Sequence, residues 1–373
     1  VTCDAAVVGA GIVGLSAALH LARKGLRVRV LERAGAGAGA STRNAGFLMR
    51  GCADHYADAV RLYGRARALS LWRFTEQNLA DLRAEGVASL PSFRETPSCL
   101  VALDDAQRDE LAWAAQAMRE DGLACRWITP AECDDALFAR GAGVAGLVNP
   151  GDATVNPAEL VGLIAERCRE AGVLVHEQAE VFALEPDDRG VTVRAQGLEL
   201  VAPRVVVCVN AYAPALIPEL GRVVTPRRGQ MLAMRAAGRR LEHAYYANHG
   251  SEYFRQADAE TIVVGGCRTY FADRETGTDD VTTPYVQDAL EAFARRVLGD
   301  PVDVTARWAG IMAFTPDGLP IVGPAAPQRL GASVWAVGAC TGHGMSMGFR
   351  TARAAVEEFL GGEPSGFALS RLD

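Results

Sequence analysis

Three glycines and one carboxylate near the start of the chain have the spacing of a diphosphate-binding turn. Gly9-Ala10-Gly11-Ile12-Val13-Gly14 reads G-x-G-x-x-G, and Glu32 stands 18 residues beyond Gly14. In such a turn Gly9 takes the tight bend, Gly11 lets the backbone approach a pyrophosphate, and Gly14 permits a helix to pack close against a strand. The helix that starts there aims unpaired N–H groups and the positive end of its dipole at the phosphates. A carboxylate at the position of Glu32 accepts hydrogen bonds from both hydroxyls of an adenosine ribose and repels a 2'-phosphate. An isolated glycine pattern is also an ordinary tight turn. The flanking elements therefore decide, and they leave NAD and FAD open.

Those elements fall in the required order. Ala5 to Val8 is an apolar run, Leu15, Ala18, Leu19 and Ala22 follow at helical spacing, Gly25 ends the helix, and Leu26 to Leu31 alternates before Glu32. Ala5 to Ala22 is also the most apolar stretch of the chain. Its three glycines and one histidine, with no basic region before them, predict strand, turn and helix rather than a membrane span or signal peptide. The chain opens on Val1, which reads as a trimmed start compatible with a lost leader. At 373 residues it exceeds one hydrophobic core, which predicts two domains. A net charge of -7 lacks the concentrated basic footprint that nucleic acid requires. Nine cysteines without a CxxC pair predict reduced, buried thiols, with neither a disulfide framework nor a structural zinc site. No metal, no transmembrane segment and a cytoplasmic location are expected.

Beyond Glu32-Arg33 comes a small-residue loop, Gly35-Ala36-Gly37-Ala38-Gly39-Ala40-Ser41-Thr42-Arg43-Asn44-Ala45-Gly46-Phe47. It resembles the second glycine-rich segment of the D-amino-acid oxidase, glycine oxidase and sarcosine oxidase family, which lies along FAD. Further segments are similar to that family in the same order. They are Asn156-Pro157 with the helical run to Gly172 and a strand from Val173 to Val181, then Val205 to Ala211, Arg228-Gly229-Gln230, Trp308-Ala309-Gly310, Thr315 to Gly323, and Thr341-Gly342-His343-Gly344-Met345. The last precedes an apolar helical stripe from Gly348 to Leu360, so a second helix amino end is expected to face the flavin.

The resemblance implies an α/β fold: a Rossmann-like FAD-binding domain of the glutathione-reductase type with an inserted α+β substrate domain carrying a mixed, largely antiparallel sheet. The first is expected over 1–86, 149–217 and 320–373, the second over 87–148 and 218–319. Charged helices are expected over Arg61 to Glu85 and Ala106 to Glu120, and strands over Leu100 to Leu103 and Thr261 to Gly266. Noncovalent FAD is implied at Gly9, Ala10, Gly11, Ile12, Val13, Gly14, Glu32, Arg33, Ala40, Ser41, Thr42, Arg43, Asn44, Ala45, Gly46, Phe47, Val181, Asn210, Ala211, Gly310, Thr341, Gly342, His343, Gly344 and Met345.

The implied reaction is oxidation of a small amine or amino acid of the glycine, sarcosine or D-amino-acid type, by hydride transfer to flavin N5, giving an imine that hydrolyses. Oxygen or another acceptor then takes the electrons, and a homo-oligomer is compatible. Chemistry of this kind needs no acid–base triad if the pocket keeps the amine neutral. Glycine oxidase-like members place a carboxylate-binding arginine where this chain has Met312, and sarcosine oxidases place a lysine where it has Ser346. Arg50, Arg255, Tyr253 and His343 are therefore the expected substrate-site residues. The competing structural readings are a surface or inter-domain salt bridge for Arg50, core packing for Tyr253 and a backbone-shaping role for His343. Two other functions stay open, a 2-hydroxyacid or polyol dehydrogenase on the same fold and a flavin-binding protein without turnover.

Overall fold

Alternation along short strands sets the first layer. In the computed structural model, which describes residues 2–52, 55–133 and 135–373, Ala5 and Val7 of the strand Ala5–Val8 face one core while Ala6 and Val8 face another. Val1 lies outside the described residues. A strand apolar on both faces belongs inside a covered sheet. The sheet has six strands in the order Ile321–Pro324, Val334–Gly338, Val205–Val207, Ala5–Val8, Val28–Leu31 and Leu174–His176. Neighbours pair parallel except the first two, which pair antiparallel.

The helices Ile12–Arg23 and Gly344–Phe359 cover one face. They meet at Gly348, where a Cβ would stand 3.1 Å from Val13 Cγ2. The other face carries a three-stranded sheet of Val181–Asp187, Gly190–Ala195 and Leu198–Ala202, through Leu184, Val193 and Leu200. Burying Leu15 and Leu200 fully stabilises this layering by roughly 1.5–3 kcal/mol per side chain.

An eight-stranded sheet stands against this unit, in the order Val304–Phe314, Thr225–Arg235, Thr261–Gly266, Glu252–Gln256, Ala244–Ala247, Ser98–Ala102, Ala145–Asn149 and Arg126–Ile128. All neighbours are antiparallel except Ala244–Ala247 with Ser98–Ala102. Period two again divides its faces. Tyr245, Phe254 and Val264 pack in the same core as Leu290 and Val297 of the helix Pro284–Leu298, whereas Met231, Tyr246 and Tyr253 pack with Phe47 of the first unit.

Two local expectations need correction. The run from Val173 to Val181 is not one strand: Gln178 takes φ 55, breaking it between Leu174–His176 and Val181–Asp187, which join different sheets. The C-terminal helix starts at Gly344 rather than Gly348, with His343 as its N-cap residue.

A buried ion pair holds the connection that follows Thr261–Gly266. Glu275 is fully buried and accepts from Arg228 Nε at 2.8 Å, Tyr285 Oη at 2.7 Å and Gln230 Nε2 at 2.8 Å. Burial raises its pKa, but the bonds from Arg228, Tyr285 and Gln230 more than reverse this, and the net shift is downward. Glu275→Ala leaves Arg228 buried without its partner, and the expected loss is about 3–5 kcal/mol in a urea titration at neutral pH. A carboxyl depressed on folding stabilises above its unfolded pKa, so the gap between wild type and variant closes as the pH falls through the lowered folded value. A gap that stays constant on acidification refutes the assignment.

Candidate active site

A cavity of about 850 Å³ lies between the two large sheets. At one end it meets the turn after Ala5–Val8. Gly9 has φ +100, and a Cβ on it would come 2.8 Å from Cys208 O. A Cβ on Gly14 would lie 1.9 Å from Gly9 O, so the helix sits against the turn only because both residues are glycine. Gly11 faces the cavity, with Ser41 Oγ accepting from Ile12 N at 3.0 Å beside it. Glu32 accepts from Ala10 N at 2.8 Å through Oε2 and from Ala34 N at 2.9 Å through Oε1, and each oxygen keeps capacity for a second donor. Beside it the Arg33 guanidinium lies 3.9 Å over the Tyr212 ring.

The small-residue loop forms the adjoining wall through Ala40, Ser41, Arg43, Asn44, Ala45, Gly46 and Phe47. Asn44 organises it, donating to Ala40 O and Ser41 O and accepting from Gly46 N at 2.8 Å. Gly46 is pressed so close to Val155 O that a Cβ would stand 1.8 Å from it. Opposite, Thr341, Gly342, His343, Gly344 and Met345 bring the amino end of Gly344–Phe359 to the same space, joined by Val13, Val181, Asn210 and Gly310. Two helix amino ends and a cradle that side chains would fill suit an anionic, elongated group, and these residues fit FAD. Four expected contacts lie behind the wall instead. Ala10 and Gly14 are buried beneath the turn, Thr42 Oγ1 donates to Gly37 O, and Ala211 belongs to the core below.

At the other end the eight-stranded sheet contributes Tyr246 and Tyr253, whose rings stack at 5.6 Å, with Phe47 edge-on to Tyr253 at 6.2 Å. Gly265 lets Tyr253 lie flat on the sheet, since a Cβ there would be 2.4 Å from its ring. Burial pushes the Tyr253 hydroxyl up to about 12 and raises that of Tyr246 as well. Burial lowers the His343 pKa, so its imidazole is neutral at pH 7. Ser346 lines the same space and accepts from Met49 N at 3.1 Å. Met312 also faces it, with its thioether over Gly229 and Gly342.

The structure does not bring Arg50 or Arg255 to this cavity. Arg50 donates to Glu76 Oε1 at 3.0 Å, Asn149 Oδ1 at 3.0 Å and Ala124 O at 2.5 Å, and borders a void of about 20 Å³ that adjoins the cavity behind Tyr246 and His343. Buried there, it ties the segments around Glu76, Ala124 and Asn149 together. Arg255 spends its fork on three carbonyls, Ala45 O, Val155 O at 3.1 Å and Gln256 O at 3.0 Å, and lies farther along its strand than Tyr253. Tyr246, Arg268 and Asp280 line the cavity although no sequence pattern marked them. Tyr245-Tyr246 on a strand offers one tyrosine to each face, and only the pairing with Glu252–Gln256 decides which.

Cys133, Asp135 and His243 have donor atoms within 4.8 Å of one another. The Asp135 carboxylate is already taken by Leu137 N, Phe138 N, Tyr245 Oη and Glu242 N, which makes it a helix cap. Among the described residues no helix is long and apolar enough to cross a membrane.

Comparison with known proteins agrees with this geometry. The family described as "DAO: FAD dependent oxidoreductase" matches residues 4–358. Glycine oxidase of Pseudomonas aeruginosa is 30% identical over 326 residues, covering 85% of each chain. D-amino acid dehydrogenase of Methylobacterium radiotolerans is 29% identical over 374 residues, covering 85% of this chain and 87% of that one. Among solved structures, glycine oxidase from Geobacillus kaustophilus superposes with a TM-score of 0.81 at 23% identity, covering 100% of this chain and 98% of that one. The glycine cradle, the two helix ends and a match spanning nearly the whole sequence lead to one conclusion: the chain belongs to the DAO family of FAD-dependent oxidoreductases, which act on amines and amino acids.

Proposed function

We propose that the chain oxidises a small amine or amino acid of the glycine, sarcosine or D-amino-acid type at the carbon beside nitrogen, leaving an imine that water hydrolyses. When bound, FAD supplies the two-electron acceptor for the hydride. The observation that carries the reading is the aromatic end of the cavity, where Phe47, Tyr246, Tyr253 and a His343 imidazole that burial pushes toward its neutral form meet the amino end of Gly344–Phe359. Gly9, Gly11, Ile12, Ser41 and Glu32 would hold the dinucleotide portion, and Gly342, Gly344 and Met345 at the second helix amino end would offer N–H groups to the rest of the cofactor, those of Thr341 and His343 being given to Ala313 O and Cys340 O. An ammonium group entering this end loses hydration without gaining an anionic partner from the tyrosines, which favours the free base. Tyr246 and Tyr253 orient the substrate and exclude water. Neither they nor His343 need exchange a proton with the reacting carbon. Ser346 presents no cation to reduced flavin, and the electron acceptor is oxygen or a separate carrier.

Gly11→Val places a side chain where the phosphates approach and is expected to weaken FAD binding about tenfold or more, the loss of one or more charge-assisted backbone hydrogen bonds. Flavin content after gel filtration checks it, with circular dichroism confirming that the fold persists. Under nitrogen, a panel of glycine, sarcosine, D-alanine and D-proline is expected to include a compound that bleaches the flavin. The kcat/KM of that compound should rise with pH to a plateau whose midpoint follows the amine pKa from one substrate to the next. Bleaching by 2-hydroxy acids and by no amine would overturn the proposal, and a midpoint fixed across substrates would assign the proton to an enzyme base instead.

A further inference from the structure

The cavity is lined by three arginines, and their partners separate them. Arg43 is paired with Asp280 and also donates to Ala309 O at 3.3 Å. Arg33 lies on Tyr212 beside Glu32, at the end where the glycine turn stands. Arg268 belongs to the aromatic end. It follows directly on the strand Thr261–Gly266, after Cys267 with φ 57, and its guanidinium lies 4.7 Å over the Phe314 ring. Among the described residues no carboxylate lies within 4.0 Å of it. Glu275, the nearby acid, is committed to Arg228. Burial, and then the neighbouring Arg227, lower its pKa, as a half-buried cation without an anionic partner requires. Tyr253 acts in the opposite sense, which places Arg268 electrostatically beside the ring that walls the substrate end.

A guanidinium held by an aromatic face keeps its fork of donors available, and a planar carboxylate matches that fork with two parallel bonds. Ser251, Thr269 and Ser346 add only neutral hydroxyls to the lining, His249 is paired with Glu110 and Arg43 with Asp280, so among the described residues Arg268 is the guanidinium at this end left with a charged donor to offer an anion. We propose that Arg268 anchors the substrate's carboxylate, so that this chain takes an amino acid in preference to a simple amine and binds it from the turn after Thr261–Gly266. This rests on the reading of the cavity as an amine-oxidation site. It adds the substrate class and the residue that selects it. The apolar surface of Met312, Tyr246 and Phe47 is left for the substituents on the reacting carbon and nitrogen.

The test uses the FAD-bound enzyme and two probes of equal shape, benzoate and benzamide, titrated against the visible flavin spectrum. Benzoate is expected to bind the wild type about 30-fold more tightly than benzamide. Arg268→Met should abolish that preference while leaving benzamide affinity and flavin content unchanged, the scale of a lost charge-assisted pair. Should the Met variant fail to retain flavin, Arg268→Lys, which keeps the charge and loses the fork, is expected to weaken benzoate about tenfold. Equal affinity of the wild type for the two probes, or a variant that binds benzoate within twofold of wild type, overturns the proposal. The outcomes separate from those of the previous section. A flavin that no amine bleaches sinks the amine reading while the benzoate result still reports on Arg268, and amine bleaching without a benzoate effect removes Arg268 alone.

Discussion

One close approach of backbone to backbone is the contact on which the rest of the site depends. Gly14 lies so near the carbonyl of Gly9 that no side chain fits between them, and this brings the amino end of the first helix to the mouth of the turn. A methyl group there would push the helix away from the strand and swing its N–H groups off the cavity. Glu32 then finds Ala10 N within reach, Ser41 caps Ile12 N from the neighbouring loop, and the loop is drawn across the opening. The floor of the cavity is thus a consequence of one steric allowance, propagated by hydrogen bonds to backbone groups.

The substrate end works on a different principle. Its tyrosines and its histidine are all displaced by burial toward their uncharged forms. On the proposed reading such a lining would act by what it withholds, since dry aromatic walls raise the cost of an ammonium ion and leave the lone pair free. Of the charged groups beside it, Arg43 is balanced by Asp280 and Arg268 has no carboxylate partner among the described residues. The absence of a nucleophile–base pair therefore agrees with the family's chemistry, where the bound cofactor does the difficult step.

Much of this was legible in the sequence, for physical reasons that differ between the halves. The glycine turn, Glu32 and the loop to Phe47 are constrained by backbone geometry, so their residue types are written locally, and most of them border the cavity. Strand alternation correctly separated Thr261–Gly266 and placed helices over the charged stretches ending at Glu85 and Glu120. Where the arginines stand relative to the cavity was not legible, because a guanidinium's surroundings depend on what faces it. Arg50 meets Glu76 and Asn149 from distant segments, and no spacing along the chain announces that encounter. Arg268 was overlooked for the same reason, since nothing in the sequence after the strand ending at Gly266 marks which way its guanidinium turns. The break at Gln178 was invisible because a non-glycine residue adopts the left-handed conformation there.

Arg255 touches neither end of the reaction, yet it gathers carbonyls from Ala45, Val155 and Gln256, three stretches far apart in the chain. Its rigid plane allows little sliding between the loop that borders the cofactor's place and the strand that carries Tyr253. Rates of bond-making at close quarters fall steeply with a misplacement of about one ångström. Alignment of the two reacting partners is thereby entrusted to a rivet outside the chemistry. Tolerance to substitution in this enzyme should consequently be mapped by tracing who holds the scaffold square, as much as by distance from the reacting atoms.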